Sequence, residues 1–133
     1  MATSGPPPSA RAVASPEQVL AARRAMDEVF VDPKVKDYVV DLVIATREPA
    51  SVGLDDLGPL VLYGASPRAS IALTQAARAR AFLDGRGFVS PADVKRVAMD
   101  VLRHRVVTTY EAEAEGVVSE DVVQRVLDAV RVP

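Results

Sequence analysis

A chain of 133 residues, 49% hydrophobic and 26% charged, has the length and balance of one folded domain. Its formal net charge of −2, from 16 basic and 18 acidic residues, gives no sign of a basic surface built to hold nucleic acid. With no Cys, disulfides and thiolate metal sites are excluded and a reducing cytosol is expected; no apolar run approaches the ~20 residues of a membrane span.

The opening MATSGPPPSAR lacks the apolar stretch of a signal peptide, and residues 1–13 read as a flexible tail or an artificial boundary. The folded domain is expected over 14–133. Ser15-Pro16-Glu17-Gln18 is a helix start, with a capping Ser, Pro at the first helical position and Gln three residues after the cap. The first helix is predicted to run to about Phe30. Asp32-Pro33 restarts the chain, and Val35, Tyr38, Val39, Leu42 and Val43 give the second helix a core-facing stripe that ends near Arg47. Between Glu48 and Tyr63 two Pro and two Gly predict an irregular segment. Leu54, Leu57, Leu60, Val61 and Leu62 make it too apolar for a solvated linker, so it is expected to pack across the domain with one helical turn near Asp55–Leu57.

A third helix is predicted from Ser66-Pro67 to about Asp84, burying Ala69, Ala72, Leu73, Ala76, Ala79 and Leu83 and stopped by Gly85 and Gly87. Ser90-Pro91 opens the fourth, with Asp93 where the helix dipole favours an anion and Val94, Val97, Ala98, Val101 and Leu102 inward. Arg105–Tyr110 reads as extended, Glu111–Gly116 as a short polar connection. The last helix, about Ser119 to Val130, buries Val122, Val123, Val126, Leu127 and Val130. The fold class is therefore all-α, a bundle of about five helices. Its small aliphatic side chains let helix axes approach closely.

Most catalytic chemistry is missing. A P-loop needs glycines followed by Lys and Ser or Thr, and none of the seven glycines precedes such a pair. The only His, His104, stands between Arg103 and Arg105 at a helix end, where basic residues usually answer exposed carbonyls. One His and no Cys leave no triad and no zinc site. The acidic pairs Asp55-Asp56 and Glu120-Asp121 read as solvated turn and cap residues. By itself the chain is expected to be non-catalytic.

One segment stands apart: Gly64-Ala65-Ser66-Pro67-Arg68-Ala69-Ser70. Ser66 as cap and Pro67 at the first position would put Arg68 in the first helical turn, beside unpaired amides and the positive end of the dipole. On spacing alone two readings stand. In the commoner one Ser-Pro merely caps and Arg68 is a solvated surface residue; in the other the guanidinium joins an anion site suited to phosphate.

The run GASPRAS, followed by AARARAFLDGRGFVSPADVK, VLRHRV and YEAEAEGV, resembles the C-terminal lid of MoxR-family AAA+ ATPases. Upstream, SPEQVL and YVVDLVIATREPA extend the resemblance to roughly residues 14–133. It implies an AAA+ lid fold, with Arg68 as the sensor 2 arginine and Ser66 and Pro67 forming the helix start that positions it. The arginine would reach ATP, with Mg²⁺, on an α/β core absent from this chain. It further implies a cytoplasmic ATPase ring, a hexamer, acting as a chaperone on clients that often carry von Willebrand factor A domains. Thr46-Arg47 matches the family's ATR and is expected to close the second helix. Gly85-Arg86 matches the LxGR turn, with Arg86 exposed; Tyr110 and Glu111 match YEA, with packing and a turn expected. Residues 48–63 form a longer insertion than in the family's shorter members. Walker A, Walker B, sensor 1 and the arginine finger are missing, so the chain is either a lid cut from its core or a lid-like protein without its engine. A freestanding helical interaction module, gripping a partner through residues 54–62 or the last helix, is the alternative.

Overall fold

The computed structural model of the chain describes residues 9–133; the tail predicted over 1–13 lies outside these residues for its first eight positions, and 9–13 are exposed without helix or strand. The described residues form six α-helices, two 3-10 helices and one two-stranded antiparallel sheet. Helix α1 (Pro16–Asp27) opens with the predicted capping box: Gln18 N donates to Ser15 Oγ, and Ser15 N to Gln18 Oε1. It stops three residues short of Phe30 because tertiary bonds claim that backbone. Phe30 N donates to Gly87 O and Val89 N to Phe30 O, each at 2.9 Å.

Helix α2 (Pro33–Arg47) keeps its predicted bounds, with Asp32 accepting from Lys34 N at 2.8 Å, and its whole predicted stripe is buried. The next segment is more ordered than its Pro and Gly content suggested. Its 3-10 helices, Pro49–Val52 and Asp55–Leu60, lay Leu57 and Leu60 into the core. Strand β1 (Val61–Tyr63) then pairs with β2 (Val107–Thr108), the stretch predicted as extended.

Helix α3 (Arg68–Leu83) runs through the centre and packs most extensively against α4 (Pro91–Leu102). Its buried seam is Ala69, Leu73, Ala77 and Ala81, one residue every four. The predicted stripe is corrected here: Ala72, Ala76 and Ala79 are only half-buried and Leu83 is 77% exposed. A row at four-residue spacing is the ridge that packs into a neighbouring groove, and three alanines in it let a neighbouring helix come close. In α4 Val94, Ala98 and Leu102 are buried and Val97 and Val101 half-buried. Thr109 Oγ1 accepts from Ala112 N at 3.2 Å and nucleates a short helix, α5 (Tyr110–Ala114), within the predicted polar connection. Helix α6 (Ser119–Ala129) lies across α2 and α4 and buries all five predicted residues, Val130 just beyond its end included.

Candidate functional site

The loop carrying the predicted site leaves β1 at Tyr63 and enters α3 at Arg68. Two contacts with the end of α2 fix its course. Thr46, fully buried, donates its hydroxyl to Val43 O at 2.7 Å and accepts from Ala65 N at 3.0 Å. Beside it Gly64 lies flat on the same turn. A Cβ there would stand 2.6 Å from both Arg47 Cα and Arg47 N, and closer still to the carbonyl oxygen of Thr46. Only glycine fits between two backbones at that separation.

Arg68 is exposed in the first turn of α3, as predicted, and forms no ion pair among the described residues. The way it gets there differs from the sequence reading. Pro67 has the helical torsions expected at the head of a helix, φ −53° and ψ −26°, but no side chain caps the helix: Ser66 is exposed and does not make the predicted cap bond. Two early amides are also taken: Ala69 N donates to Ser66 O at 2.8 Å and Ser70 N to Pro67 O at 3.1 Å. The guanidinium, more than a cluster of free amides, is thus what this end offers an anion.

A second polar cluster joins α3 to α4. Arg86 Nη1 and Nη2 donate to the two oxygens of Asp93 at 2.7 and 2.5 Å, and Nη2 also reaches Asp84 at 3.1 Å. Asp93 caps α4 as well, accepting from Ser90 N at 2.8 Å and Ser90 Oγ at 2.7 Å. The Arg86 guanidinium, helped by the Ser90 donors, outweighs burial and holds the Asp93 carboxyl well below the usual carboxylate range. Arg86, expected to be exposed, is instead partly buried because a carboxylate only 3% accessible needs a counter-charge.

Other predicted positions disperse. His104 is exposed at the end of α4. Asp56 belongs to a surface pair with Arg125, at 2.6 and 2.8 Å, which lowers its pKa. Asp121 accepts from Val118 N at 3.0 Å at the start of α6. Tyr110, expected to pack, is 86% exposed: Thr109 caps α5 in a way that turns Ala112 inward in its place. Thr46 is the residue whose importance the sequence concealed. Its contact spans 19 positions, and only the ATR match marked the place.

The chain matches the family model described as the AAA lid domain over residues 57–126. It is 43% identical over 127 residues to Chaperone MoxR1 of Mycobacterium tuberculosis, a match covering 96% of this chain and 34% of that protein. To Protein MoxR of Paracoccus denitrificans it is 42% identical over 92 residues, covering 65% of this chain and 27% of the relative. A crystal structure described as that of a "putative ATPase" from Cytophaga hutchinsonii superposes with a TM-score of 0.85 at 40% identity, covering 88% of this chain and 36% of that one. The chain thus spans about a third of the length of the curated relatives it matches.

Proposed function

This chain belongs to the AAA lid domain family, and we propose that it is the nucleotide-sensing lid of a MoxR-type ATPase with Arg68 as its sensor 2 residue. The observation that carries this reading is the placement of Arg68: exposed, without an ionic partner among the described residues, at the head of the central helix, on a loop pinned to α2. A positive charge free of internal partners is available to an external anion.

In this reading the lid folds over nucleotide on the α/β core of a longer protein, and ATP supplies the phosphoryl group transferred to water. Arg68 meets the terminal phosphates and stabilises the charge that develops on them in the transition state. Once the terminal phosphate is lost, the guanidinium loses an anchor and the lid turns relative to the core as a rigid body, about the segment before Ser15. In a cytoplasmic hexameric ring that rotation passes to the next subunit and remodels a client, which in this reading carries a von Willebrand factor A domain. The alternative, a freestanding interaction module, loses most of its surface. The apolar side of α6 is buried, as are Leu57 and Leu60, which leaves Leu62 of the 54–62 segment as its one well-exposed large apolar side chain.

The test is steady-state ATP hydrolysis by the longer protein that joins this lid to its core, wild type against Arg68→Ala. A fall of about tenfold or more, equivalent to about 1.4 kcal/mol of barrier, is expected. Unchanged turnover by a folded variant would remove Arg68 from the reaction and bring the interaction module forward.

A further inference from the structure

Arg68 is the third residue after Ala65, and Ala65 is where the loop is anchored. We propose that Thr46 is a positioning residue for Arg68: its hydroxyl holds the loop in the register that aims the guanidinium at phosphate. The proposal rests on the reading of Arg68 as a phosphate contact. Thr46 and Ala65 are both fully buried, and Thr46 Oγ1 uses one donor and one acceptor, to Val43 O at 2.7 Å and from Ala65 N at 3.0 Å. No solvent is at hand to replace either bond. The hydroxyl therefore decides whether the Ala65 amide sits against α2 or must move to find another acceptor.

Three further features make that decision reach Arg68. Gly64 lies against the backbone of Thr46 and Arg47 with no room for a side chain, so the loop cannot slide toward α2. On its other flank Val61 and Tyr63 are paired with Thr108 and Val107 of β2, which fixes the strand that delivers the loop. Beyond the anchor the chain enters α3 at once, and Ala69 is fully buried, so a displacement at Ala65 turns into a displacement of the helix start. A cation that acts in the transition state is sensitive to small errors of placement, and a shift of about 1 Å is enough to weaken it. Thr46 does not touch nucleotide in this scheme; it acts through Arg68.

The experiment measures kcat and KM for ATP in the longer protein for Thr46→Val, Thr46→Ser, Arg68→Ala and the Thr46→Val/Arg68→Ala double variant. Thr46→Val keeps the shape and loses the hydroxyl, and should lower kcat by about tenfold with a much smaller change in KM. Thr46→Ser keeps the hydroxyl and should return kcat to within about threefold of wild type. Once Arg68 is gone, Thr46→Val should change kcat by less than about twofold, because the two residues act as one unit. A residue with a merely structural role would multiply the two losses instead, and that result overturns the proposal. So does full activity in Thr46→Val while Arg68→Ala is impaired, an outcome that leaves the sensor reading of Arg68 standing. Full activity in Arg68→Ala overturns that reading and this one with it. If Thr46→Val does not fold, Thr46→Ala, which removes the hydroxyl and leaves no methyl facing the Ala65 amide, takes its place under the same criteria.

Discussion

Arg86 grips both oxygens of Asp93, at 2.7 and 2.5 Å, across the turn that joins α3 to α4. The pair ties the most extensively packed helices of the domain together, and Asp93 caps α4 from inside the same contact. Removing the carboxylate leaves the Ser90 donors and the Arg86 fork short of their charged acceptor. Asp93→Asn is expected to cost about 2 kcal/mol, the range for hydrogen bonds to charged groups, seen as a drop in thermal midpoint of the 133-residue chain.

The same pair sets an acid limit. The Asp93 pKa is depressed in the folded chain by Arg86 and Ser90, so its contribution is full above the ordinary carboxylate pKa of about 4 and is lost as pH falls below it toward the folded value. Wild type should therefore lose stability between neutral pH and pH ~2.5 more steeply than Asp93→Asn. Melting curves across that range check it; parallel slopes would contradict the assignment. Asp56 shifts the same way through Arg125, but that pair lies at the surface and its effect should fade with added salt.

At Gly64 any side chain meets the backbone of Thr46 and Arg47 on more than one side, where no flexible group can yield. Gly64→Ala is expected to destabilise the chain by about 2 kcal/mol or more, as overpacking does in rigid surroundings. Gly58→Ala is the control, since its Cβ would enter open space, and its melting curve should stay within about 0.5 kcal/mol of wild type.

Arg68→Ala should leave the fold intact. The side chain is exposed and without an ionic partner among the described residues, so its removal is expected to shift unfolding by no more than about 0.5 kcal/mol. Denaturant titration of the chain tests this, and a large loss would mean that Arg68 serves the fold and not an external anion.

Helix α1 buries none of its residues fully, and Val19 and Leu20 remain about half exposed, at 52% and 50%. A helix of 12 residues is marginal without packing, so its capping box carries an unusual share of its stability. Ser15→Ala should cost about 1 kcal/mol locally. Hydrogen exchange should show α1 amides opening well before those of α3 and α4, faster again in the variant.

What the sequence by itself determined was local: where helices begin and which faces turn inward. Ser15, Asp32 and Ser90 cap through side chains that reach only two or three residues, and each helix starts where those residues place it. The stripes of α2 and α6 were legible for a similar reason, because a helix packed on one side turns its repeating apolar residues inward. Arg68 could be singled out because its motif is short and continuous, five residues from Gly64. Tertiary structure decided the rest. Phe30 left its helix for bonds to Gly87 and Val89, Arg86 was drawn inward by a buried carboxylate, and α3 buried the row Ala69, Leu73, Ala77 and Ala81 over the alternative alanines beside it. Above all, the hold of Thr46 on Ala65 crosses 19 residues and depends on a hydroxyl meeting one amide at 3.0 Å. Such a bond has no period and no local signature, so it exists only once α2 and the loop before α3 have been packed together.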